Sequence, residues 1–274
     1  MTTSDQPTSP ADAYQAYYGP AIFEPLSDRV LAIAAPSPGD RVLEVASGTG
    51  ILTRKLAAAT GPAGRVVGVD LNPKMVEVAT DLGGTGIEYQ QGDGTALGLP
   101  DAEFDAVYCQ QGLQFFPDRA AGTREMRRLL DRGGRAVVVC WHGLDAHPLF
   151  GALADAEEPH LAAAGVEVDR AELVAPFSLG DRHDLEALLT NAGFANVQLH
   201  ELSIEARFAD GDRFVERMEF AYAAVIPQFA ENPAAFAAYL ESISEETRDI
   251  VASYRRGDEV VVPMHTNLAV ATAL

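Results

Sequence analysis

From residue 40 onward, short Val-rich apolar runs alternate with longer stretches whose apolar residues recur at helical spacing. Parallel strands buried on both faces read as such runs and need helical crossovers, so the alternation predicts a helix-covered parallel sheet. The first run is residues 41–46 (RVLEVA), followed by a glycine turn and a helix that reaches Ala59 before Gly61-Pro62. Residues 66–70 (VVGVD) form the next, leading into a helix that Asn72 caps and Pro73 opens. Three more strands are read at 87–90, 105–109 and 135–140. Between the last two, Asp118 to Leu130 carries a helical pattern that stops at Gly133-Gly134.

The pattern loosens over the Ala-rich, Pro-interrupted residues 143–176. A helix then starts at Asp181, shows an apolar face of Leu185, Leu188 and Leu189, and ends at Gly193. Residues 196–208 alternate like a strand with one exposed face, and 212–254 look helical and aromatic. Residues 259–273 include VVVPM and read as a closing strand that Pro263 confines to an edge or irregular position. The expected fold is α/β: a Rossmann-like, seven-stranded, mostly parallel sheet with helices on both faces and a helical lid inserted between the last two strands. The expected divisions are an N-terminal tail with lid helices (1–38), a core (39–210), a helical cap (211–256) and a final strand region (257–274).

Composition narrows the partners. The 274 residues are 47% apolar, enough for a sizeable core. Forty acidic side chains against 20 basic ones give a net charge of −20, with Lys only at Lys55 and Lys74. Nucleic acid and anionic membranes require clustered cations, so neither is an expected partner. Cys109 and Cys140 form neither a disulfide framework nor a zinc pattern and suit a reducing compartment. No apolar run reaches membrane-spanning length and the start has no signal-like apolar stretch, so a cytoplasmic location is expected. No metal is expected.

The first strand opens into EVASGTGILT, placing Gly48 and Gly50 at a strand-to-helix turn where a ligand can approach the backbone closely. Asp70 ends the next strand, where a carboxylate can accept both hydroxyls of a ribose. Together they point to an adenosine-bearing ligand. A dinucleotide wants a third loop glycine, and Thr53 stands there instead. Asp93, after the third strand, can take an adenine's exocyclic amine and favours S-adenosylmethionine.

Residues 41–140 resemble class I S-adenosylmethionine-dependent methyltransferases, being most similar to the ubiquinone/menaquinone-biosynthesis type and its small-molecule relatives. The resemblance rests on VLEVASGTG, VVGVDLNPKMVEVA, QQGDGTALGLPDAEFDAVYCQQGLQFFPD and MRRLLDRGGRAVVV in the family's order and spacing. It implies that Glu44 and the loop of Ala46, Ser47, Gly48, Thr49 and Gly50 cup the methionyl end. It also implies that Asp70 holds the ribose, Leu71 and Met75 pack on adenine, Asp93 with Gly94 or Thr95 meets the adenine edge, and Gln110 lies near the reacting sulfur. Ala46 departs from the family, which has glycine there; a slightly tighter loop is expected.

Leu71 and Met75 read equally well as plain core. Gln110 and Gln111, adjacent amides at the end of a buried strand, need partners that a ligand could supply. His142, directly after the fifth strand, is the candidate base, with His265 second. Tyr14, Tyr18, Met218 and Tyr222 are the candidate substrate contacts. The expected activity is methyl transfer to oxygen or carbon of a small organic molecule, such as a natural product or quinone-like compound, with a homodimer as the candidate assembly. The alternatives are a non-methylating use of the same cofactor for rearrangement, cyclisation or decarboxylation, and a non-catalytic cofactor-binding module.

Overall fold

The computed structural model describes residues 7, 9–222 and 226–274, the side chains of Tyr222 and Pro227 excepted. A helical run opens with α1 (Pro10–Ala13), passes through a π-helical stretch (Tyr14–Phe23) that contains Pro20, and continues as α2 (Glu24–Ala34). Then follow β1 (Arg41–Val45), α3 (Ile51–Thr60), β2 (Arg65–Asp70), α4 (Pro73–Leu82), β3 (Ile87–Gln91) and β4 (Phe104–Gln110). A 3-10 turn at Leu113–Phe115 leads to α5 (Arg119–Leu129) and β5 (Leu130–Trp141). Beyond these come α6 (Pro148–Ala163), α7 (Arg170–Leu173), α8 (Arg182–Asn191) and β6 (Phe194–Phe208). The chain closes with α9 (Phe214–Tyr222), α10 (Pro227–Ala230), α11 (Pro233–Glu246), α12 (Arg248–Ser253), β7 (Arg255–Arg256) and β8 (Glu259–Ala273).

Two compact units emerge. The core unit comprises Leu26–Gly143, Pro176–Ser203 and His265–Leu274. Its sheet runs β3-β2-β1-β4-β5-β8-β6. The contacts β1/β2, β1/β4, β2/β3 and β4/β5 are parallel, and β5/β8 is antiparallel. Leu43, Val45, Val67, Val69, Val107 and Val138, with Leu113, Met126 and Leu185, belong to one buried apolar cluster. The α/β, mostly parallel architecture is thus the one the alternating pattern predicts.

The helical unit comprises the described residues of Met1–Pro25, Leu144–Ala175 and Ile204–Met264. Its helices α6, α9 and α11 surround buried Tyr239, Ile243 and Glu219. Residues 144–175 belong here, whereas the sequence pattern grouped them with the core. They loosen in pattern because α6 carries Pro159 inside it, not because they lack helix. The helical reading of 212–254 resolves into several helices, of which α10 opens at Pro227 and α11 at Pro233.

Two further expectations change. β8 is interior, lying between β5 and β6. Pro263 precedes the residues that pair with β5, which run from Thr266 to Thr272, so no bond of that ladder needs its missing N–H. α5 ends at Leu129 rather than at the glycine pair, because Leu130 already pairs with Phe104 and starts β5. Among the described residues, no helix is long and apolar enough to cross a membrane, and no group of three His, Cys, Asp or Glu could hold a metal ion.

Candidate functional site

In the core unit the chain order reverses at β1, with β2 on one side and β4 on the other. Loops leaving the carboxyl ends of such neighbouring strands diverge and open a crevice. Five of the sequence-predicted residues lie on the two loops that leave β1 and β2, namely Ala46, Gly48, Thr49, Gly50 and Leu71, and Met75 follows in the first turn of α4. Gly48 and Gly50 have positive φ (54° and 77°), and a Cβ on Gly50 would lie 2.3 Å from the Tyr89 hydroxyl oxygen. A Cβ on Gly68 would lie 2.8 Å from the Tyr89 ring. Tyr89 therefore reaches from β3 across β2 to the glycine loop, and both glycines make room for it. Ala46 also has a positive φ, 58°, so its cost is backbone handedness rather than crowding within the loop.

Three carboxylates stand at successive strand ends in three different environments. Glu44 is buried in β1 and accepts a hydrogen bond from the Thr53 hydroxyl. Burial pushes its carboxyl up to about 8, against the opposing pull of Thr53. Asp70 accepts from the Gly48 N–H at 2.7 Å on one oxygen and from the Asn72 N–H at 2.9 Å on the other. Burial raises its pKa while those two bonds oppose the rise, and each oxygen keeps a further lone pair. Asp93 is exposed and accepts from Thr95 N–H and hydroxyl at 2.8 and 2.7 Å, which holds its carboxyl below the usual range. Leu71 is 66% exposed, which removes the plain-core reading for it, and Met75 is half-buried. Gly94 is buried, and a Cβ there would lie 2.4 Å from the Phe116 ring.

Gln110 and Gln111 find their partners within the protein, contrary to the expectation that a ligand supplies them. Gln110 meets the buried Ser27 hydroxyl, which is 3.2 Å from its Nε2 and 3.3 Å from its Oε1. Gln111, at φ 55°, donates to Thr266 Oγ1 at 3.1 Å and accepts from Gln114 Nε2 at 3.0 Å. His142 donates its backbone N–H to the His265 carbonyl at 2.9 Å, and its ring Nε2 is buried without a partner among the described residues. Asn267 binds the carbonyl of Gly180 at 2.9 Å, and a Cβ on Gly180 would lie 2.1 Å from the Gly143 nitrogen, so this loop backs the peptide after His142. His265 bonds Ser203 through Nδ1 at 2.7 Å.

Within the helical unit, Tyr18 donates to the Met218 carbonyl at 2.9 Å, and the Tyr14 ring meets Tyr18 at 5.4 Å and Phe23 at 5.0 Å. Burial raises the Tyr18 pKa. Met218, with Tyr17, Phe208, Phe214 and Arg217, lines a cavity of about 130 Å³. The Tyr222 side chain lies outside the described residues. Tyr89, Gln114 and Thr266 carry no sequence signal, because packing between distant segments brings them to the site, whereas Ser47 lies in the loop expected to cup the methionyl end. Ser47 Oγ is buried without a partner among the described residues. A glycine loop open to close approach, carboxylates at the β2 and β3 ends, exposed Leu71 and an unsatisfied hydroxyl fit an adenosine-bearing cofactor.

Comparison with known proteins agrees. Residues 43–138 match the methyltransferase domain family. The ubiquinone/menaquinone biosynthesis C-methyltransferase UbiE of Ectopseudomonas mendocina (strain ymp) is 30% identical over 194 residues, 63% of this chain and 72% of that one. Among solved structures, the YcgJ protein of Bacillus subtilis matches with a TM-score of 0.54 at 20% identity, over 90% of this chain and 97% of its own. Phosphoethanolamine N-methyltransferase 2 of Haemonchus contortus, solved with S-adenosyl-L-methionine, matches with a TM-score of 0.58 at 15% identity, over 96% of this chain and 56% of its own.

Proposed function

Since this chain belongs to the class I S-adenosylmethionine-dependent methyltransferases and acts on small metabolites, we propose that its acceptor is an organic compound methylated on oxygen or carbon, of natural-product or quinone-like type. The observation that carries the site assignment is the succession of Glu44, Asp70 and Asp93 at the ends of β1, β2 and β3 around the loop from Ala46 to Gly50. In this reading Glu44, Ala46, Gly48, Thr49 and Gly50 hold the methionyl end, and Asp70 the ribose. Leu71 and Met75 face adenine, while Asp93, Gly94 and Thr95 meet its edge. Gln110 lies near the sulfur, and Gln111 contributes by orienting Gln114.

When bound, S-adenosylmethionine supplies a methyl group activated on a sulfonium. The residues' task is alignment of the acceptor atom, which can supply most of the rate gain. His142 Nε2, buried and without a partner among the described residues, is suited to take the proton that an acceptor hydroxyl or acidic carbon gives up. The acceptor-binding role of Tyr14, Tyr18 and Met218 belongs to the same proposal, supported by their meeting in the helical unit. The buried free thiols of Cys109 and Cys140 support a reducing, cytoplasmic setting.

Isothermal titration calorimetry checks the cofactor assignment. The intact protein is expected to bind S-adenosylmethionine, and Asp70→Ala to weaken binding at least about tenfold, the size expected for lost charge-assisted hydrogen bonds. No binding by the intact protein would sink the reading.

A further inference from the structure

Thr266 is buried in β8, and its hydroxyl donates to the Cys140 carbonyl at 2.6 Å. A carbonyl only accepts, so the Thr266 proton is committed and its oxygen is left to accept. It accepts from Gln111 Nε2, which turns Gln111 Oε1 toward Gln114 Nε2. Flipping either amide would set acceptor against acceptor, so the direction of the relay is fixed. The relay ends at Gln114 Oε1, a buried acceptor with no hydrogen-bond partner among the described residues. Gln114 itself is 3% exposed, and its backbone carbonyl is held by Arg119 Nη2 at 2.9 Å and Ser178 Oγ at 3.3 Å.

The location gives this free acceptor meaning. Just before the 3-10 turn, a Cβ on Gly112 would come 2.4 Å from the Cβ of Ala46 in the β1 loop. Just after it, Phe116 abuts Gly94 in the loop after β3. The turn therefore touches both cofactor loops at the edge where the strand order reverses. Gln111 is also held in a left-handed conformation that a non-glycine residue adopts only when its surroundings impose it. A buried acceptor without a donor is costly, and a native fold keeps one where something else supplies the donor.

We propose that Gln114 Oε1 receives a hydrogen bond from the ammonium group of the bound cofactor, its orientation set by Thr266 and Gln111. The proposal rests on the cofactor reading above. Within that reading the ribose hydroxyls go to the β2 end and the adenine amine to the β3 end. The ammonium is the donor left for the β4 end, beside the loop that takes the methionyl group. A charged donor on an oriented neutral acceptor makes one of the stronger hydrogen bonds.

Calorimetry with S-adenosylhomocysteine and its deaminated analogue, which lacks only the ammonium, tests this on the full chain. Wild type is expected to prefer the aminated ligand, and Gln114→Met to lose at least about tenfold of that preference while binding the deaminated ligand as before. Thr266→Val, which removes the relay's anchor, is expected to lose part of the same preference. An unchanged preference in Gln114→Met overturns the proposal, as does equal weakening of both ligands, the signature of a damaged fold. Failure of wild type to bind S-adenosylhomocysteine at all counts instead against the cofactor reading.

Discussion

Ala46 and Gly112 form a pair whose energetics are tied. Ala46 is left-handed, which costs an alanine about 1 kcal/mol relative to glycine, and its methyl group occupies the space that a side chain at 112 would need. Ala46→Gly is expected to raise stability in urea by up to about 1 kcal/mol. Gly112→Ala is expected to lower it by about 2 kcal/mol, because the new Cβ would also come 3.0 Å from Cys109 Sγ. In the double variant part of that loss should return, and strict additivity would show that the two positions do not touch. The alanine itself is visible in EVASGTG, but its cost is not. Handedness belongs to the backbone, and the neighbour at 112 is brought by the β1/β4 pairing.

At the level of elements, local signals succeed where a side chain caps its own helix. Asp118 accepts from the Ala121 N–H at 2.8 Å at the start of α5, as Asn72 accepts from Lys74 at the start of α4 and Asp181 from His183 at the start of α8. Asp118→Ala should cost about 1 kcal/mol in thermal or urea unfolding, because an orphan N–H of the first turn loses its acceptor. Ends set by distant partners are not legible in the same way. Gly133-Gly134 looks like a helix stop, yet β4 recruits Leu130 into β5 before the chain reaches it. Pro263 looks like an edge marker, yet β8 enters the sheet interior with the proline beyond the stretch that pairs with β5.

For the whole molecule, buried carboxyls predict how stability changes with pH. Glu44 rises from 4.5 to about 8 on folding because it is buried. A raised pKa means that the folded state binds the proton more tightly, so this contribution is full below the unfolded value and is lost as pH climbs through about 8. Glu219 in the helical unit, bonded to Tyr239 at 2.8 Å, is raised by burial and by Glu157, adding a second source of alkaline loss. The thermal midpoint should fall between about pH 4.5 and 8, and Glu44→Gln should flatten part of that fall. Added salt should not remove the Glu44 component, since screening acts on exposed charge such as most of the net −20 and little on a buried group. The sequence by itself determined the alternating α/β architecture, the glycine loop, the strand-end carboxylates and hence the cofactor. Each of these is written within a few residues of one strand end. Only the tertiary structure decided that the glutamines after β4 bond to Ser27, Thr266 and each other, that Gln114 is left with the open acceptor, and that residues 144–175 join the helical unit. Those outcomes depend on pairing between segments far apart in the chain, which no local pattern encodes.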